Sequence, residues 1–166
     1  MSDEIIRSAQ FSKCRLYRYT LERVWDADLP TCVFILLNPS TATELVDDPT
    51  NRRGMGFARK WGCGTCVFVN LFAFRTPKPK EMKAAADPVG SLNNRWIKSW
   101  SVLADILVAA WGTHGTYRGR DREVLKLLAP HKIMCFGKTK HGHPKHPLYL
   151  RSDTKLEVFR EGLGKG

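Results

Sequence analysis

Three short polar segments, each following an apolar run of strand character, carry the residue types from which a site could be built. Phe34-Ile35-Leu36-Leu37 leads into Asn38-Pro39-Ser40, Val67-Phe68-Val69 into Asn70, and Ile133-Met134-Cys135-Phe136 into a basic loop ending His146-Pro147-Leu148. Amides, a hydroxyl and an imidazole donate and accept hydrogen bonds without a fixed charge. In open α/β sheets ligands bind beyond the carboxyl ends of the strands, so groups at three such ends are expected to converge. The chain carries a formal net charge of +11. Uncharged readers on a cationic body suit a polar, neutral group carried on a polyanion, and a nucleobase meets that description.

Strand and helix patterns alternate along the chain without repeats, which predicts one α/β domain with a central, mainly parallel sheet of four to five strands between helical layers. Its core is expected over about 14–151 of 1–166, with frayed termini ending in Gly164-Lys165-Gly166. Residues 14–25 read as an edge strand or hairpin, and Thr31 to Leu37 as a strand buried on both faces. Asp48-Pro49 reads as an N-cap followed by proline at the first helical position, opening a helix through Phe57, Ala58 and Trp61 that Gly62 and Gly64 end. Thr65 to Val69 is the next strand, and Phe72 to Ala86 a long connection. Asp87-Pro88 repeats the cap signal before a helix carrying Leu92, Trp96, Ile97 and Trp100. Ile106 to Trp111 and Lys132 to Phe136 read as strands around a helix over Arg120 to Leu128.

No apolar run approaches the roughly 20 residues of a membrane helix, and Met1-Ser2-Asp3-Glu4-Ile5-Ile6-Arg7 has no signal-peptide pattern. A cytoplasmic monomer with no membrane partner is expected. Five cysteines, three of them within or beside apolar runs, read as reduced thiols rather than disulfides. Between Gly112 and Arg151 lie Arg118, Arg120, Arg122, Lys126, Lys132, Lys138, Lys140, Lys145 and Arg151 against Asp121 and Glu123, together with all five histidines. That stretch reads either as a footprint for phosphates or as a solvated face that keeps the protein soluble.

Beyond these patterns the core resembles an uncharacterised family known only as a domain of unknown function, and, more distantly, the uracil-DNA glycosylase superfamily. Ile35-Leu36-Leu37-Asn38-Pro39-Ser40 resembles the first active-site motif of the mismatch-specific branch, where Asn-Pro-Gly follows the first core strand. Val67-Phe68-Val69-Asn70-Leu71-Phe72 is similar to the strand ending in the asparagine that reads the base edge. Val108-Ala109-Ala110-Trp111-Gly112-Thr113-His114 resembles the strand closing in a Trp-Gly turn. His146-Pro147-Leu148-Tyr149-Leu150 resembles the His-Pro-Ser motif, which joins a catalytic histidine to a loop that wedges into the duplex. The likeness covers about 31–150 and rests on the order of four strand ends.

The resemblance implies a DNA glycosylase with a uracil-DNA-glycosylase-like fold. Cleaving an N-glycosidic bond builds positive charge on the sugar and negative charge on the departing base, so water and stabilisers of both charges are needed. By that likeness Asn38 positions water, and neutral His146 donates to the leaving group. Ser40, Asn70 and His114 bind the base, and Phe57 stacks on it. Leu148, Tyr149 or Leu150 would fill the space of a flipped nucleotide, while Arg118, Lys138, Lys140 and Lys145 grip phosphates. No cofactor or metal is called for, and no lysine is placed for a Schiff base, so the enzyme would be monofunctional.

Two departures shape the substrate expectation. Ser40-Thr41-Ala42 stands where strict uracil enzymes carry a bulky tyrosine, which points to a modified, 5-substituted or bulky pyrimidine, including one in foreign DNA. Leu148 replaces the usual serine and leaves duplex against single-strand preference open.

Quieter readings stand beside these. Asn38-Pro39-Ser40-Thr41 is good turn chemistry, Asn70 can satisfy backbone at a sheet rim, His146 can be a surface turn residue, and Phe57 and Trp111 can be core. Asp47-Asp48 suits a helix N-terminus or, at a pocket mouth, a metal or an oriented water. Cys63 and Cys66 with His141, His143 and His146 can be written as a Cys2His2 zinc site, although the spacing is no recognisable finger. Other functional classes are a sensor that binds modified bases without cleaving them, and an enzyme acting on free nucleosides or nucleotides.

Overall fold

A computed structural model describes residues 4–163, so the expected fraying of Gly164, Lys165 and Gly166 lies outside the described residues. The order is β1 (Ile6–Phe11), β2 (Arg18–Val24), β3 (Thr31–Leu36), α1 (Pro49–Lys60), β4 (Thr65–Asn70), α2 (Pro79–Ala84), α3 (Asn93–Leu103), β5 (Ile106–Ala109), a 3-10 segment (Gly112–Gly119), α4 (Arg120–Leu127), β6 (Ile133–Cys135) and β7 (Glu157–Arg160). Among the described residues no helix is long and apolar enough to cross a membrane.

The α/β class holds, but the sheet is seven-stranded and mixed, not a mainly parallel sheet of four or five strands, with order β1-β2-β4-β3-β5-β6-β7. Four parallel strands, β4, β3, β5 and β6, form its centre. The β1-β2 hairpin flanks one side and β7 the other, all three antiparallel to their inner neighbours. Parallel pairs need a long crossover, usually helical, whereas antiparallel neighbours can be joined directly. The added strands escape the sequence because they lie at the edges: β1 and β7 have no fully buried residue, so neither shows the apolar run that marks β3 and β4. Both also lie outside the span expected for the core.

Alternation along the central strands builds two cores. Val33, Ile35, Val67 and Val69 face Met82 of α2, Ile97 of α3 and Val124 of α4. Cys32, Phe34, Cys66 and Phe68 face Met55, Phe57 and Ala58 of α1. One helix thus covers one face and three cover the other.

α1 begins as its sequence dictates, with Asp48 as N-cap, Pro49 in the first turn and a capping box in which the Asn51 amide N–H donates to Asp48 Oδ1 at 2.9 Å. A Cβ on Gly54 would stand 2.6 Å from the Phe68 ring, so only glycine lets this helix lie so close to the sheet. α3 departs from expectation. Its N-cap is Leu92 with no side-chain bond, while Asp87 accepts the Gly90 amide N–H at 3.2 Å in the preceding turn. The connection expected over 72–86 contains α2, a helix of only 6 residues.

Candidate functional site

The strand order reverses between β3 and β5: β4 follows β3 on one side, and β6 follows β5 on the other. A crevice opens at such a switch point because the chain leaves its two strands in opposite directions. There lies a cavity of about 460 Å³, lined by the segments after β3 and β5, the start of α1 and the loop after β6. Asn38, Ser40, His114, His146 and Leu148 all line it, residues drawn from three separate strand ends.

Asn38 is pinned by its amide nitrogen, which donates to the Thr76 carbonyl at 2.7 Å and the Pro39 carbonyl at 3.2 Å. Those two acceptors fix which end of the amide is which, and Oδ1 accepts from no group among the described residues. His146 is fixed from the other side. Its Nδ1 accepts the Leu148 amide N–H at 3.2 Å, so the proton of the neutral ring sits on Nε2, which donates to no protein group among the described residues. Burial holds its pKa below the ordinary imidazole value and outweighs the Asp48 carboxylate, which acts the other way. The loop that carries it is tied to β5 through the Gly112 amide N–H, which donates to the Pro144 carbonyl at 2.9 Å. Gly112 takes φ +73°, a turn that glycine makes without strain.

Of the Asp47-Asp48 pair expected at a helix N-terminus or a pocket mouth only Asp48 meets the cavity, and Phe68 and Arg18 join it as residues legible only in three dimensions. Asp48 reaches the wall with Oδ2 accepting the Ala42 amide N–H at 3.3 Å besides its capping bond, whereas Asp47 is held away from it by Arg7, Arg23 and Asn51. Phe68 supplies an aromatic wall. Arg18 is brought in by a β-bulge: Gln10 pairs with Thr20 and Phe11 with Arg18, so Tyr19 is the extra residue and Arg18 is re-aimed. Its side chain is buried, its Nη1 donates to the Ala42 carbonyl at 2.9 Å, and burial draws its pKa down to about 10.

Other candidates stand elsewhere. Phe57 does not line the cavity; it packs in an aromatic cluster with Phe136 at 4.7 Å and Trp61 at 5.7 Å between ring centroids, because its side of α1 faces the sheet. Asn70 is fully enclosed and does not line the cavity either, and neither its Nδ2 nor its Oδ1 has a partner among the described residues. Its carbonyl accepts from Asn93 Nδ2 at 2.9 Å. His114 is at the exposed mouth, where its Nδ1 accepts from Lys83 Nζ at 3.1 Å. Trp111 serves both core and cavity wall.

Lys138, Lys140 and Lys145 are exposed on the turn that precedes His146, closed by the Lys138–Pro144 bridge and the bond from the Thr139 amide N–H to the His143 carbonyl. Arg118 lies apart on the 3-10 segment, its guanidinium 5.4 Å from the Tyr117 ring centroid. Arg120, counted with the basic footprint, is no surface charge. It is buried and its Nε donates to the Leu71 carbonyl at 2.7 Å. Tyr149, one residue past cavity-lining Leu148, is 94% exposed with φ +70°.

The zinc alternative fails on placement. Cys63 and Cys66 lie beside Cys32 at the amino ends of β3 and β4, whereas His141, His143 and His146 follow the carboxyl end of β6. Among the described residues no group of three or more His, Cys, Asp or Glu is placed to hold a metal ion.

No curated protein and no solved structure matches the chain. A family model does, over residues 18–148, a span that runs from Arg18 in the cavity wall to Leu148 at its mouth. The chain therefore belongs to the family described as "Protein of unknown function (DUF1643)".

Proposed function

We propose that the chain is a monofunctional DNA glycosylase that hydrolyses the N-glycosidic bond of a modified pyrimidine, 5-substituted or otherwise bulky. The observation that carries the reading is the presence, on one cavity wall system, of a neutral imidazole with its proton on Nε2 and an amide pinned so that its oxygen is free. Glycosidic hydrolysis needs this division of labour. Asn38 Oδ1 accepts a hydrogen bond from water and holds it toward the anomeric carbon. As the carbon–nitrogen bond breaks, its electron pair leaves with the base, and His146 Nε2–H donates to the base oxygen where that charge gathers. Water's oxygen bonds to the sugar, and its proton passes to solvent. The Asp48 carboxylate at the same wall offsets positive charge on the sugar.

The likeness to the mismatch-specific branch supports the same roles for Asn38 and His146. Neither Phe57 nor Phe68 offers an open stacking face, and Phe68 closes the apolar back of the cavity. In this reading exposed Tyr149 serves as the wedge, Lys138, Lys140 and Lys145 as phosphate contacts, and Ser40 and His114 as contacts to the substrate. Asn70 in this reading supports the strand end from behind the wall.

The test is strand cleavage after alkali treatment of DNA containing uracil, 5-substituted pyrimidines or bulky cytosines. Abasic sites made by wild type and lost in Asn38→Ala and His146→Ala support hydrolysis. Binding without base release from any substrate would replace it with the sensor reading. A second reading, action on free nucleotides, is favoured by the cation enclosed in the cavity, Arg18. It predicts a shallow dependence of affinity on salt, where several DNA phosphates give a steep one.

A further inference from the structure

The hydrolytic scheme uses Asn38 and His146 and leaves Arg18 idle. Yet Arg18 lines the cavity with only 2% of its surface exposed, and a bulge in β2 is spent on aiming it there. Of its three guanidinium nitrogens only Nη1 is engaged, by the Ala42 carbonyl. Nε is buried without an acceptor, and Nη2 donates to no protein group among the described residues. In a guanidinium, Nε–H and the neighbouring Nη2 N–H project in parallel along one edge. That free edge is the fork which fits the paired oxygens of a carboxylate or phosphate.

Among the described residues no carboxylate fills the fork. Asp48 is close enough for its charge to be felt, but its oxygens are held by the Asn51 and Ala42 amides, and no ion pair joins it to Arg18. Asp47 is committed to Arg7 and Arg23. The positive end of α1, a helix of 12 residues, reaches the same cavity through Pro49, Thr50 and Asn51 and adds a field that favours an anion. A buried cation without a partner is costly, and an entering anion would relieve it.

We propose that Arg18 forms an oxyanion subsite inside the cavity, taking a phosphate or carboxylate of the substrate on its Nε/Nη2 edge. The proposal rests on the reading of this cavity as the substrate site, but not on bond cleavage. In a DNA substrate the anion is either an acidic substituent of the base or a phosphate of the extruded nucleotide.

The test follows arginine Nε–H signals by NMR in nitrogen-15-labelled protein, at constant ionic strength set with chloride. Inorganic phosphate, 5-carboxyuracil, uracil and cytosine are titrated in turn. One Nε–H signal, absent from Arg18→Lys, is expected to shift saturably with phosphate or 5-carboxyuracil and not with uracil; the anion that succeeds identifies its source. Arg18→Gln should bind that anion about tenfold or more weakly, as loss of a charge-assisted pair requires, while Arg122→Gln on the exposed side of α4 should not.

The proposal is overturned if neither anion shifts the signal, or if cytosine, whose N3 and O2 also form an acceptor pair, shifts it and the anions do not. Should the Arg18 variants fail to fold, the wild-type titration decides once the Arg18 Nε–H signal is assigned through its backbone connectivity. That assignment separates it from Arg160, whose Nε is likewise buried without a partner among the described residues, while Arg23 and Arg120 donate through Nε to Asp47 and Leu71. Loss of base release with an intact phosphate response would sink hydrolysis alone.

Discussion

The two ends of the parallel strands are built from different chemistry. At the amino ends of β3 and β4 three thiols, Cys32, Cys63 and Cys66, are buried in the core that faces α1. Burial pushes the Cys32 and Cys66 thiols well above the ordinary range, so they pack as small apolar groups. At the carboxyl ends, Arg18 Nε and the Asn70 amide are buried without partners, and Asn38 and His146 each keep one hydrogen-bonding atom free. Folded proteins leave few buried polar groups unmatched, since each costs about 1–3 kcal/mol. Of these groups Arg18, Asn38 and His146 line the cavity, so the carboxyl ends hold open hydrogen-bonding capacity at a crevice, whereas the thiols at the amino ends pack as core.

The sharpest way to break this comparison is to change the two ends separately. Asn38→Ala and His146→Ala are expected to lower base release by about 100- to 1,000-fold, the loss typical of removing one preorganised transition-state contact, measured as alkali-labile sites per unit time. Cys66→Ala, at the opposite end, should leave that rate unchanged and lower stability to denaturant by about 1 kcal/mol, the cost of removing one small buried group. An equal loss of rate in Cys66→Ala would erase the distinction between the ends.

Stability probes sharpen it further. Gly54→Ala forces a methyl against the Phe68 ring and should cost about 1–3 kcal/mol in urea unfolding, with a loss of substrate affinity because Phe68 is also cavity wall. Asp48→Ala removes the N-cap of α1 and should cost about 1 kcal/mol by the same measurement.

pH separates the ends as well. The His146 pKa in the fold lies below its unfolded value near 6.5, so the unfolded chain takes up this proton first as pH falls. Stability from this group is complete above about 6.5 and declines as pH drops toward the folded value. Base release should fall along the same acid limb, with an apparent pKa below 6.5, as the imidazole that must stay neutral becomes charged; an acid limb unchanged in His146→Gln would assign it to another group. The smallest expected effect is at the rim: Lys140→Ala should reduce the slope of log affinity against log salt for duplex DNA by about 0.9.

Legibility in the sequence followed burial and locality. β3, β4, β5 and β6 were readable because strands buried on both faces are continuous apolar runs, and α1 because Asp48-Pro49 is a cap written in adjacent residues. Asn38, Ser40, His114, His146 and Leu148 followed from those strand ends. Phe57 was misplaced because an aromatic residue on a helix looks the same in sequence whether it faces a cavity or the sheet. α3 began later than Asp87-Pro88 implied because the same dipeptide also makes a turn.

What the sequence determined by itself is therefore local: which runs are strands, where α1 starts, and which polar residues stand at strand ends. The tertiary structure alone decided which of those ends meet. A single extra residue in β2 turned Arg18 into the cavity, enclosure removed Asn70 from it, and α1 came to lie over Phe68 through Gly54. Each depends on pairing between segments distant along the chain, where a shift of one residue exchanges the faces of a strand, and no local pattern records that choice.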